Sequence, residues 1–235
     1  MALNHIEQGF ADLLESFGQE AGLPQRYFRA ELRLNDVAAQ KLRVHAALDK
    51  NAEFWAIAAN ALHLATLISL YRLFDTDSIG NVYEILNYGQ EHPAIFLRTA
   101  LARRRQQEKE DPSAHEATAD DFIPLRKDLG RHRTLFDEKY RPIRGKILAH
   151  RVLSAAEQRE IYASTSVVEV HEICSFFPAL HSVLWQLYTN GLRPSLRPYV
   201  LSFEQIKAGE TVNQGQHAVV RHTDRMLDSL IIDGK

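Results

Sequence analysis

The chain has 235 residues, 45% of them hydrophobic and 25% charged. That balance excludes fibrous and disordered classes and is sufficient for one large buried core. The net charge of −2 hides an uneven distribution: residues 126–151 carry nine Lys or Arg against three acids, in a chain that is acidic elsewhere. Such a stripe is either a phosphate-binding face or a solvated helix face.

Apolar residues recur at spacings of three and four, and alternating β-branched runs are almost absent, which predicts helices throughout. The N-terminus, Met1 to Glu7, has neither a basic stretch nor an apolar run, so no signal peptide is expected, and Cys174 as the only cysteine fits a reducing cytoplasm. A first helix is expected over about 3–20, ended by Gly22-Leu23-Pro24. A second is expected over about 35–48, capped by Asn35 or Asp36. The third, about 51–74, is hydrophobic almost all round and should sit in the middle of a bundle. Asn60, His63 and Ser69 inside it favour a buried helix over a membrane span.

Asp77 or Ser78 should cap a short helix to about Tyr88, and another should run over about 93–109. Residues 106–119 are polar, contain Pro112, and predict a mobile loop. Thr118-Ala119-Asp120-Asp121 resembles a capped start for a helix to about Tyr140, which Pro142 must kink or restart. Ser154-Ala155-Ala156-Glu157 fits a capping box and should open a long helix, bent at Pro178 and ended by Gly191. The expected architecture is an all-α up-and-down bundle with extra helices, over 1–192, followed by a weakly ordered extension at 193–235.

The segment richest in chemistry is Arg144-Gly145-Lys146-Ile147-Leu148-Ala149-His150-Arg151. An Arg stabilises a phosphoryl transition state, and an imidazole moves the proton that starts or ends the reaction. With Pro142 in a first helical turn, Arg144 and Gly145 would lie where free N–H groups and the dipole favour an anion. Six residues rotate a helix by about 240°, so Arg144 and His150 face apart, whereas Lys146 shares a face with His150. Two chains about a two-fold axis would supply both groups to one groove.

This pattern resembles the Arg-x4–6-His signature of the HEPN superfamily of helical RNases and nucleotide-binding domains. The wider run from Ile143 to Arg151 is similar to the abortive-infection AbiU-like branch, as is the apolar helix from Trp55 that closes on Arg72-Leu73-Phe74-Asp75. The resemblance implies a dimeric helical bundle that cuts RNA without metal or cofactor and leaves 2′,3′-cyclic phosphate ends. It makes His150 the general base or acid and Arg144 the phosphate stabiliser, with Arg141, Lys146 and Arg151 binding substrate. It also implies phage defence or a toxin–antitoxin pair, with RNA or nucleotide, a second copy and an antitoxin protein as partners. Gly145 departs from the polar residue that often follows the Arg in active members. The alternative is a non-catalytic helical dimer that binds nucleotide, RNA or a protein.

Several other residues keep two readings. Asp75 either orients His150 or pairs with Arg144, or else it caps the next turn or pairs with Arg72. Arg103-Arg104-Arg105 either contacts phosphates or solvates a helix end. His171, Cys174 and His181 lie along one expected helix among Ile173, Phe176, Phe177 and Leu180, a setting that favours core over metal. Glycine-rich phosphate loops, Gly-x-Ser-x-Gly and His-Glu-x-x-His are absent from the sequence.

Overall fold

A computed structural model describes residues 4–143, 157, 163–197, 201–211 and 214–232. It is helical, and no strand occurs among the described residues. The elements are α1 (His5–Ala21), α2 (Leu23–Gln40), α3 (Leu42–Asp49), α4 (Ala52–Phe74), α5 (Val82–Glu91), α6 (Arg98–Arg104), α7 (Phe122–Leu135), α8 (Val167–Asn190), α9 (Phe203–Lys207) and α10 (Gln214–Ile232). Short 3₁₀ turns cover Pro93–Phe96 and Ala119–Asp121, and a π turn covers Phe136–Tyr140. The chain forms two compact units, and two of the points where it passes from one to the other fall inside α4 and inside α8.

The first unit comprises Met1–Ala21, Tyr71–Glu138 and Phe176–Pro198. Phe10, Leu14 and Phe17 share one face of α1 at helical spacing and are fully or almost fully buried. Helix α5 lies against α1 and α7. Gly89 permits that closeness, because a Cβ there would stand 2.7 Å from the Phe122 ring. Asn4 and Glu7 form a reciprocal cap at the start of α1, with bonds of 2.8 and 3.2 Å. Gly191, at φ +60°, ends α8: its N–H donates to Leu187 and that of Leu192 to Gln186.

The second unit comprises Gly22–Leu70, Lys139–Ser175 and Tyr199–Lys235. Helix α10 packs on α2 and α3 through Leu34, Val37, Val44, Leu48 and Leu227, with Trp55 and Ala59 of α4 against the same cluster. The 193–235 segment therefore holds two helices, and α10 is part of a core. Its weak pattern in sequence has a physical reason: Arg33 and Lys41 reach Asp224 and Asp228, so charged positions on α10 are partly contact positions.

Other local expectations shift for identifiable reasons. Pro24 opens a helix instead of ending one: α2 begins at Leu23 with Pro24 in its first turn, where a missing N–H costs nothing. Asn81, not Asp77 or Ser78, caps α5, accepting from the amides of Tyr83 and Glu84 at 3.0 Å. Residues 106–119 are tied down, since Ala114 and Ala117 are buried and Gly191 O accepts from His115 N at 2.7 Å. The helix expected from Ser154 is interrupted at residues 164–166, and α8 starts at Val167. Helix α4 is not central all round: Phe54 and Ile57 are 61% and 60% exposed. By length and composition, α4 and α8 are apolar enough to cross a membrane.

Candidate functional site

Arg144, Lys146, His150 and Arg151 lie outside the described residues. What the structure describes is the entry to their segment. Residues 136–140 widen into a π turn and helical geometry continues through Pro142 to Ile143, so no helix start lies at Pro142. The first-turn anion site expected there is therefore not formed by a new N-terminus. A π turn accommodates a proline that cannot donate to the turn before it.

Tyr140 anchors this entry to α8. Its ring is buried, its hydroxyl donates to Ser166 O or Glu169 Oε2, each at 3.1 Å, and the Ser166 amide donates back at 3.2 Å. The phenol thus holds the Ser166 amide, and the Ser166 hydroxyl accepts from the Val168 amide at 3.3 Å, so Ser166 stands as the cap from which α8 starts. Burial pushes the Tyr140 phenol far above its ordinary value, with Glu169 adding to the effect. Lys139 reaches the other oxygen of Glu169 at 2.5 Å. Ile143 is buried, while Arg141 is exposed on the same short stretch.

Asp75 accepts from the Ser78 hydroxyl at 3.0 Å and its carbonyl from the Ser78 amide at 3.1 Å, both within its own turn, while His150 and Arg144 lie outside the described residues. Arg72 pairs with Glu20, not with Asp75. The triple arginine is also structural. Arg103 and Arg104 both reach the buried carboxylate of Glu7, at 2.6 and 3.2 Å. Arg104 also donates to Tyr188 O, and Arg105 donates to Thr189 O, closing the C-terminal end of α8.

Much of the basic stripe is likewise engaged within the fold. Arg126 binds Gln90 and Asn87, and Arg133 binds Asp137 and Phe74 O. Lys127 and Arg131 are exposed. His171 and Cys174 are buried in the second unit, and burial pushes the His171 imidazole down to about 4 and the Cys174 thiol well up. No group of three His, Cys, Asp or Glu side chains poised for a metal occurs among the described residues.

One polar cluster escaped the sequence reading. Arg29, fully buried on α2, donates to Ile206 O, Glu210 O and Gln216 Oε1 at 3.4, 2.7 and 3.2 Å. Gln25 and Gln216 both donate to Ser175 Oγ. The signal was present in sequence: Gln25, Arg29 and Arg33 recur every four residues on one face of α2.

The family model described as AbiU2, of the HEPN type, matches residues 7–208. The chain belongs to this family. The match spans both segments that resembled it, including Arg144 to Arg151, and extends from α1 to the end of α9. No curated protein and no solved structure matches the chain. Membership in a HEPN family directs the functional question to RNA cleavage and abortive infection.

Proposed function

We propose that this HEPN protein is a metal-independent endoribonuclease, acting in phage defence or in a toxin–antitoxin pair. The observation that carries the reading is the Arg-x5-His pattern, Arg144 to His150, inside the range matched by the AbiU2 family model. In RNA the 2′-OH is an internal nucleophile beside the scissile phosphorus. His150 takes its proton, and the oxygen attacks phosphorus to form the 2′,3′-cyclic phosphate. The 5′-oxygen of the next nucleotide leaves and takes up a proton, which an imidazolium supplies. Arg144 stays charged at any working pH, and its planar fork matches two phosphate oxygens as negative charge builds. Arg141, Lys146 and Arg151 add attraction for the RNA backbone. On a helix the six-residue spacing would turn Arg144 and His150 apart, so the reading has two chains pair to complete each groove.

The test is cleavage of RNA by the purified chain beside His150→Ala and Arg144→Ala. Cutting survives EDTA, spares DNA, leaves cyclic phosphate ends, and falls by about 10²-fold or more in either variant. Full activity in His150→Ala would refute the assignment. Gly145 favours a second reading, a helical dimer that binds RNA, nucleotide or a protein without cutting. Binding of RNA by a chain that never cleaves it selects that reading.

A further inference from the structure

The face of α4 turned away from the core is apolar, exposed and almost free of charge. Trp55 and Ala59 pack against α2, α3 and α10. On the opposite side Phe54, Ile57 and Ile68 are 61%, 60% and 45% exposed, Ala61 is exposed, and Leu64 is half-buried. These positions follow the alternating three- and four-residue steps of a helix that packs along a second helix. Between Glu53 and Arg72 the sequence has no Asp, Glu, Lys or Arg. A contiguous apolar stripe of this length marks an interface.

We infer that this stripe is where two copies of the chain meet, α4 against α4 in antiparallel orientation about a two-fold axis near Ala61. The sequence is self-complementary about that residue. Seven positions before and after it stand Phe54 and Ile68, which meet each other's copy. Four positions away stand Ile57 and Ala65, and three away Ala58 and Leu64, so in both of these pairs a large side chain faces a small one. Ala61 meets itself and lets the backbones approach. Helix α4 carries Glu53 in its first turn and Arg72 in its last. Arg72 is already held by Glu20 in its own chain, so the orientation rests on the helix dipoles, which antiparallel packing opposes and parallel packing aligns. A charged partner has nothing to pair with along this stripe. A bilayer is disfavoured because the other face of α4 packs on a cluster whose helices carry Arg33, Lys41, Asp224 and Asp228.

This inference deepens the dimer reading above and assigns its contact surface. The experiment is light scattering on the full chain at about 10 μM, wild type beside Ile57→Glu and Ile68→Glu, with circular dichroism melts of each. Both sites are exposed, so the variants fold; each weakens the dimer by about 10²-fold or more, and together they leave a monomer. Ala61→Cys, at the axis, forms an intermolecular disulfide under mild oxidation, while Ala56→Cys, off the stripe, does not. Cys174 is buried and does not compete. A monomeric wild type overturns both the dimer and the face. A dimer that survives both glutamates, or an Ala61→Cys variant that fails to cross-link, overturns the face alone. Co-sedimentation of wild type with phosphatidylcholine vesicles, abolished by the same glutamates, assigns the stripe to lipid and overturns the inference.

Discussion

Replacing Arg29 by Met tests what holds the C-terminal helices to the rest of their unit. The guanidinium is fully buried, its acceptors are two carbonyls and an amide oxygen, and no carboxylate pairs with it among the described residues. Burial and the neighbouring Arg33 push it down to about 10 from 12.5, a cost of about 3 kcal/mol against the charged form. Against that stand two well-made bonds to a charged donor, about 1.5–3 kcal/mol each; the third, at 3.4 Å, adds little. Met removes both the cost and the bonds, and takes a donor from Glu210 O and from Gln216 Oε1, so the net loss is about 2–5 kcal/mol. In a chain of this size that lowers Tm by about 5–15 °C. Hydrogen exchange should place the loss in α9 and α10, whose amides lose protection before those of α1 and α5. An Arg29→Met protein with unchanged Tm and unchanged protection at 203–232 would refute this account of the clamp.

Two further outcomes follow from buried polar groups. Glu7→Gln removes the carboxylate that Arg103 and Arg104 share, and Arg104 is itself largely buried; the loss is about 3–5 kcal/mol, read from urea denaturation. His132, its ring tilted against Phe176 at 4.4 Å, and His171 are both pushed down to about 4 by burial, with Arg131 and Arg29 respectively adding to the effect. The unfolded imidazoles take protons at about 6.5 and the folded ones only near 4, so their contribution is complete above 6.5 and is lost as pH falls toward 4. Urea midpoints should therefore decline through that window, and His132→Phe should flatten part of the decline; a midpoint constant from pH 7 to pH 4 would show the imidazoles to be solvated.

Sequence alone determined what depends on local repetition. Spacing of three and four set the helical class, the Thr118 to Asp121 cap stands where its residues place it, and Gly191 ends α8 because its φ of +60° suits glycine. The Arg144 to His150 pattern and the Arg72-Leu73-Phe74-Asp75 close of α4 pointed to the family whose model matches 7–208, because a resemblance rests on residue order and not on contacts. Tertiary structure decided what the Arg103-Arg104-Arg105 run does. Nothing local separates an arginine that meets RNA from Arg104, which meets Glu7 from a helix that lies far away in sequence. The same holds for α10, whose anchoring charges resemble solvated ones until α2 is placed beside it, and for α4, where composition cannot say which apolar face is covered. Periodicity reports that a face is apolar; only the packed neighbours, Trp55 and Ala59 on one side and water at Phe54 and Ile57 on the other, report which face the fold uses.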